Sequence, residues 1–320
     1  MNYKLLIFLI ALYLPTLVTG QKRKADQADG LYKAGEYYKA AEKYRDAYQN
    51  ILDDERKEVM LYRIAECYRQ TNQAKKAEMW YKKAIRKGYD SSMVFYYFAE
   101  SLRENGSFDE AIVQYEKFKE KSPDDSLAKL GIKSCEAAKT WIENPTNYQI
   151  EEMKFFNSRE SDFSPAYSSS DYTKVLFTSN RDEATGDEIH GATGFKFSDI
   201  FLITQDRDGR WSDPQKLPEP INTEYEDGAC SISSDFNTMY FTRCRKENND
   251  NMGCQVYFTQ KSGDEWGKPT SMRLVPDSLV AAHPAISPDG LTLYFVSDMP
   301  GGFGGKDIWK VELQGGAGSG

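Results

Sequence analysis

"AECYRQTNQAKKAEMWYKKAI", Ala65 to Ile85, decides how the first half of this chain folds. A small residue opens it, Asn72 comes seven positions later, Ala77 five after that, and Tyr81 four further on. The same spacing runs through "ADGLYKAGEYYKAAEKYRDAY" from Ala28, with Gly35, Ala40 and Tyr44. It returns in "AESLRENGSFDEAIVQYEKFK" from Ala99, with Gly106, Ala111 and Tyr115. Ala28, Ala65 and Ala99 lie 37 and 34 residues apart, a period typical of stacked helical repeats. The physical reading is a pair of antiparallel helices per copy. Glycine or asparagine ends the first helix in a left-handed turn, alanines let the two helices approach, and the aromatic fills the space between pairs.

This pattern, closed by Pro123 in the third copy, resembles the tetratricopeptide repeat over residues 25 to 123. "SLAKLGIKSCEAAKTWIEN", Ser126 to Asn144, then reads as a further helix that covers the apolar face left open by the last repeat. Within the repeats, "YRIAECYR" and "YYFAESLR" put Tyr62, Glu66 and Arg69 in the same register as Tyr96, Glu100 and Arg103. Spacings of four and three set each trio on one helix face. The first copy keeps Tyr32 and Asp29 of the pattern. The resemblance implies that this face lines a concave groove for peptides or partner segments. Tyr32, Tyr62, Glu66, Arg69, Tyr96, Glu100 and Arg103 are therefore the candidate partner-binding residues. The alternative is a solvated face whose Glu–Arg pairs contribute about a few tenths of a kcal/mol each.

From Tyr148 onward the helical period gives way to short apolar or alternating runs broken by Gly, Asp, Asn and Pro, with "ENPTN", Glu143 to Asn147, as the boundary. "SSSDYTKVLFTSNR", "SISSDFNTMYFTRC" and "AISPDGLTLYFVSD" align so that Asp171, Asp235 and Asp289 each precede Phe177, Phe241 and Phe295 by six residues. Each is followed by a variable loop and another strand: "SDIFLIT", "CQVYFTQ" or "KDIWKVE". Two copies continue into a tight turn and a Trp-x-x-Pro segment, at Trp211 and Trp266. Small antiparallel sheets repeated with an aromatic in register predict a β-propeller. "ISPDGLTLYFVSD" resembles the WD40-like repeat of TolB-type propellers. Three units fall short of the four to eight that usually close a ring, so the sequence reads as a truncated propeller.

"PGGFGGKDIW", Pro300 to Trp309, invites comparison with a phosphate-binding loop. That loop needs Gly-Lys-Ser/Thr running into a helix, whereas Asp307 follows Lys306 here and a strand pattern comes next. The glycines instead occupy the hairpin between two strands of one unit. His190 and His283 stand apart, with no G-x-S-x-G and no C-x-x-C, so no catalytic residue and no metal site is expected. "DRDG" at Asp206 lacks the further ligands of a calcium loop and reads as a turn. No cofactor is called for.

The net charge of −8 is uneven: residues 21–145 carry 24 Lys+Arg against 22 Asp+Glu, and residues 146–320 carry 16 against 27. The acidic half argues against nucleic acid as a partner, because phosphate backbones are bound by clustered cations. Five cysteines leave at least one unpaired. Cys67 and Cys135 fall in helical patterns as small buried hydrophobes. Cys244 and Cys254 flank the polar loop "RKENNDNMG", either bridged across its mouth or free.

Lys4, the ten-residue apolar run Leu5 to Leu14 and the small residues before Gln21 form an export signal too short to span a bilayer. No cysteine follows the cut, so no lipid anchor is expected. The expected fold class is α + β in separate domains: a signal peptide at 1–20, an N-terminal α-solenoid with capping helix at 21–144, and a partial all-β propeller at 145–320. Signal, repeats and propeller in this order resemble Bacteroidetes envelope proteins of the OmpA family, PorE-like components associated with the type IX secretion system among them. In these a peptidoglycan-binding domain follows the propeller. The resemblance implies an exported, non-enzymatic periplasmic scaffold for envelope proteins, outer-membrane or secretion-system components, tied to peptidoglycan only through a C-terminal domain missing here. The alternative function is the propeller module of an exported hydrolase, or a module recognising a peptide or glycan.

Overall fold

The computed structural model describes residues 23–49, 51, 53–186, 189–247 and 250–313, so the leader at 1–20 and the closing glycines lie outside the described residues. The chain divides into two units, one holding the residues up to Ile150 with Gly191–Gly194, the other holding Glu151–His190 and the residues from Phe195 on.

The first unit contains seven helices among its described residues: α1 (23–33), α2 (Tyr37–Tyr48), α3 (Asp54–Gln70), α4 (Ala74–Lys87), α5 (Ser92–Glu104), α6 (Phe108–Lys121) and α7 (Leu127–Glu143). The turn inside each repeat has one construction. Gly35, Asn72 and Gly106 take φ of +78°, +54° and +80°. Directly after each, the amides of Glu36, Gln73 and Ser107 donate to the carbonyls of Leu31, Tyr68 and Leu102, each at 2.9 Å. These bonds satisfy helix-end carbonyls that the helix itself leaves open. Ala40, Ala77 and Ala111 are fully buried where the helices of each pair cross, and Tyr44, Tyr81 and Tyr115 are buried beside them. The result is a tetratricopeptide-like solenoid.

Helix α7 continues the stack by burying Ala128, Gly131 and Cys135. A Cβ on Gly131 would stand 2.4 Å from ring carbons of Tyr115, so the helix docks with its backbone against that ring. The outer side of α7 is not covered: Leu130 and Trp141 are 64 % and 71 % exposed.

The described residues of the second unit form three antiparallel sheets. The first is β1 (Asp162–Tyr167), β2 (Lys174–Ser179), β3 (Asp199–Thr204) and β4 (Gln215–Lys216). The second is β5 (Glu226–Ile232), β6 (Thr238–Glu247), β7 (Asp250–Ser262) and β8 (Glu265–Trp266), with β9 (Thr270–Ser271) also on β7. The third is β10 (Ala281–Ile286), β11 (Thr292–Ser297) and β12 (Asp307–Glu312). They pack in series: Leu176 and Ile200 meet Met239, Phe241 and Tyr257, while Tyr240 and Val256 meet Leu293 and Phe295. The described residues form no closed ring.

Several devices repeat from sheet to sheet. Asp171, Asp235 and Asp289 each accept from a serine two residues before, at 2.6, 2.5 and 2.5 Å, and from the amide two residues after. A bulge in each first strand places Ser164, Ala229 and His283 at φ +53°, +50° and +53°. The amides of Ala229 and His283 donate to the hydroxyls of Thr178 and Thr242 in the preceding sheet, both at 2.8 Å. Ahead of each first strand an apolar residue is pinned by its carbonyl. Phe156 is held by Arg181 at 2.6 Å, Ile221 by Arg243 at 2.7 Å and Val275 by Gln255 at 3.1 Å. Both arginines also lie over the aromatic pair of their sheet, Phe177 with Phe201 and Phe241 with Tyr257.

Cys244 and Cys254 oppose each other on β6 and β7 and are bonded, with S–S 2.05 Å. Cys67, Cys135 and Cys230 are free and buried. The glycine-rich stretch lies between β11 and β12, where Gly304 donates to the Asp307 carboxylate at 3.1 Å. At Asp206 the carboxylate accepts from the amides of Asp208 and Arg210, both at 2.9 Å, as a turn requires.

Two predictions follow from this packing. Gly131→Ala gains about 1 kcal/mol of helix propensity but drives a methyl into a ring that is fully buried. Overpacking of that kind costs about 1–3 kcal/mol, so a net loss is expected in urea unfolding of the helical unit. A neutral or stabilising result would refute the docking described for α7. The second concerns pH. Burial pushes the Asp227 carboxyl up to about 6, against the pull of Arg243 at 2.5 Å. Its contribution to stability is complete below its unfolded value of about 3.9 and is lost as pH rises through 6. Hydrogen bonds from Ser169 and Thr173 hold Asp171 down at about 2, so its contribution is lost as pH falls from about 4 to 2. Taken alone, these two groups make denaturant midpoints of the sheet unit fall as pH drops from about 4 to 2 and as it rises from about 4 to 6. Denaturant midpoints that climb steadily to pH 7 would contradict it.

Candidate protein-binding face

The seven candidate residues all belong to the first helix of a repeat: Tyr32 on α1; Tyr62, Glu66 and Arg69 on α3; Tyr96, Glu100 and Arg103 on α5. Each repeat ties its two helices together at the carboxylate of this face. Tyr44 donates its hydroxyl to Asp29 at 2.6 Å, Tyr81 to Glu66 and Tyr115 to Glu100, each fifteen residues apart. Burial, reinforced by the neighbouring carboxylate, raises all three tyrosines above their ordinary range, so they remain donors. Glu66 is 4 % exposed. It is a positioning residue rather than a group that a ligand meets.

What the carboxylates position is a pair of guanidinium groups. Arg69 donates to Glu66 through Nε at 3.2 Å and Nη2 at 2.8 Å, and Arg103 donates to Glu100 at 2.7 Å. The arginine side chains stay 25 % and 34 % exposed, so each is fixed in place while its edge still reaches water. The pairs expected from the spacing are present, but they are half-buried and bonded to a second helix.

Neighbouring repeats meet through an arginine on a tyrosine. The Arg69 Cζ lies 4.1 Å from the centroid of Tyr97 on α5. Tyr32, expected to keep the tyrosine of the pattern in the first repeat, instead occupies the slot that Arg69 and Arg103 fill later, and Arg63 occupies the slot of Tyr97. Arg63 Cζ lies 4.4 Å over the Tyr32 ring. The same contact is therefore made twice with cation and aromatic exchanged. Ala25, buried, stands where Tyr62 and Tyr96 stand in the later repeats. Tyr62 stacks on Tyr89 at 4.5 Å, and Tyr96 packs against Tyr97 and Phe118 at 5.3 and 5.4 Å.

The face thus presents half-buried tyrosine rings and fixed guanidinium edges along α1, α3 and α5. Planar donors of this kind suit carboxylate, amide and aromatic groups of a peptide. Sequence reasoning passed over Arg63 and Tyr97; the available signal was their common position, 34 residues apart, one slot after Tyr62 and Tyr96.

Several solved tetratricopeptide domains are similar to the helical part of this chain. The C-terminal tetratricopeptide-containing domain of a Plasmodium falciparum FK506-binding protein matches at 16 % identity and TM-score 0.36, covering 40 % of this chain and 93 % of its own. The Sgt2 tetratricopeptide domain from Aspergillus fumigatus matches at 15 % and 0.34, covering 42 % and 88 %. The second such domain of human RPAP3, solved with an HSP70 peptide, matches at 19 % and 0.33, covering 38 % and 96 %. No family model matches the chain, and no curated protein matches it.

The exchanged contact gives a test. Tyr32→Arg alone sets two guanidinium groups face to face and should cost about 1 kcal/mol in the unfolding of the helical unit. Tyr32→Arg combined with Arg63→Tyr restores the order found at Arg69 and Tyr97, and stability should return to within about 0.5 kcal/mol of the parent. Additive losses in the double variant would show that the two positions do not couple.

Proposed function

We propose that this chain is a non-enzymatic scaffold of the cell envelope, whose helical unit holds a peptide segment of a partner protein along α1, α3 and α5. The observation that carries the reading is the preorganisation of Arg69 and Arg103. Each is oriented by a carboxylate that is itself held by a buried tyrosine, while the guanidinium edge stays open to water. A donor fixed before binding loses little entropy when it captures its acceptor. The leader at residues 1–20, read from the sequence as an export signal, supports a setting outside the cytoplasm. The chain's resemblance to OmpA-family envelope proteins makes outer-membrane or secretion-system proteins the partners, with peptidoglycan attachment through a further C-terminal domain. The sheet unit, read as part of a propeller, would add a second protein-binding surface, and two such surfaces in one chain raise each other's effective concentration at a shared target.

A second reading draws on the sheet unit. A cavity of about 470 Å³ there is lined by Phe156, Phe163, Tyr167, Phe177 and Trp211 among others. Aromatic walls of this kind suit a peptide side chain or a sugar.

The groove is tested by placing a photo-crosslinking amino acid at Arg103 or Tyr96, and at exposed Lys82 as the control, in the native cell. Cross-links to one envelope protein from the first two sites and none from the third are expected. Equal products from all three would remove the groove from consideration. Co-sedimentation of the protein with purified sacculi tests the wall tether separately, and a protein that stays in the soluble fraction would rule the tether out.

A further inference from the structure

Each junction between successive sheets has two halves. The forward half is an apolar pair on the second and third strands of one sheet, Leu176 with Ile200 in the first sheet and Tyr240 with Val256 in the second, none more than 1 % exposed. The backward half belongs to the next sheet. There the last residue of the first strand, Ile232 or Ile286, packs into the junction, and the bulge amide donates to the threonine of the sheet before. One half of each kind stands uncovered. Ile200, Val256 and Ile308 lie opposite Thr178, Thr242 and Val296, so Tyr294 and Ile308 are the forward pair of the third sheet. They are 44 % and 79 % exposed. At the other end, Tyr167 closes the first strand of the first sheet as Ile232 and Ile286 close theirs, yet it is 52 % exposed. Ser164 shares the backbone of Ala229 and His283, so its amide is the corresponding donor. The cavity of about 470 Å³ lies on this face, lined by Tyr167, Val175 and Phe177. The counterparts of the last two, Met239 and Phe241, meet Leu176 and Ile200 of the sheet before, so the cavity marks the place of an absent forward pair.

We infer that the two uncovered halves meet between two copies of the chain. Tyr294 and Ile308 of each copy enter the cavity face on the first sheet of the other, and six sheets close into one ring. The two junctions inside the chain already show that halves of these kinds fit in this register. An unrelated partner would have to reproduce that register, whereas a second copy brings it unchanged. Three sheets fall short of the four to eight that usually close a ring, and two copies supply six. Each copy gives one forward face and receives one, so a two-fold axis relates the two new junctions and association stops at two chains. Apolar side chains such as Ile308 are removed from water at both junctions, which drives the contact. The new junction differs from the internal ones at one position. Val296 stands where Thr178 and Thr242 accept the bulge amide, so Ser164 of the other copy meets a methyl group there. The inference does not rest on the groove reading, since the groove belongs to the helical unit. It does take the cavity away from a peptide side chain or sugar.

Sedimentation equilibrium of the whole chain over a range of concentrations tests it, with circular dichroism as the check on folding. The expected result is a mass that rises to twice 36.5 kDa and no further. Ile308→Glu on the third sheet and Tyr167→Glu on the first should each weaken association by at least about tenfold while the fold is kept. A chain that stays monomeric leaves both faces to another protein or another ligand and overturns the proposal, as does growth beyond two copies. Loss with Ile308→Glu but not with Tyr167→Glu would mean that third sheets pair with each other, and rejects it too. Val296→Thr reads the register directly. It returns the acceptor that the internal junctions have, so association should tighten by at least about threefold. Unchanged or weaker association of Val296→Thr would show that Val296 does not face the Ser164 amide, and the ring falls with it.

Discussion

The hydrogen bond from a buried tyrosine to a carboxylate fifteen residues earlier is the contact on which the helical unit depends. It occurs in every repeat, from Tyr44 to Asp29, Tyr81 to Glu66 and Tyr115 to Glu100. A carboxylate in this position must be paired, because an ionised group removed from water without partners is strongly unfavourable. The tyrosine supplies one partner from the second helix, and Arg69 or Arg103 supplies the other from the next turn of the first helix. One group therefore sets the spacing of the helices within a repeat and the orientation of the cation that faces outward. Packing and surface chemistry cannot be varied separately at these positions.

The sheet unit solves a comparable problem differently. Arg181 and Arg243 are nearly buried, and each is satisfied by an aspartate, a backbone carbonyl and two aromatic faces. In the third sheet this arginine is absent. Trp309 stands in the aromatic pair with Phe295 and donates its indole N–H to the Ser297 carbonyl at 3.2 Å. The position thus keeps an aromatic pair and a donor while changing which residue provides them.

Much of this was legible in the sequence because residue type and structural demand coincide. The left-handed turns need glycine or asparagine, the helix crossings need alanine, and the strand-to-strand turns need an aspartate that caps its own backbone. Each of these recurs at the period of its repeat. What was not legible is held by partners distant in the chain. Ser164, Ala229 and His283 share a backbone conformation but no chemistry, since for the latter two a threonine of the neighbouring sheet holds the amide. Arg63 and Tyr97 share a slot but not a residue type, because the contact they make has its partners exchanged. Cys244 and Cys254 are brought into opposition by the regular register of β6 on β7, which no residue in the loop announces. The export signal, the propeller identity and the envelope setting rest on the sequence resemblance.

The threonine latch between sheets also gives the series a polarity. Thr178 and Thr242 each offer a hydroxyl forward to the next sheet, and each receiving sheet offers an amide backward. Sheets joined this way can add in one order and one orientation only, as links of a chain whose two ends differ. On β11 the corresponding residue is Val296. Whatever packs ahead of that strand meets a methyl group where the earlier sheets present a hydroxyl, so dispersion and shape alone must set its angle. Among the described residues the series of hydroxyl-to-amide latches therefore runs from the first sheet to the third and is not offered onward by β11.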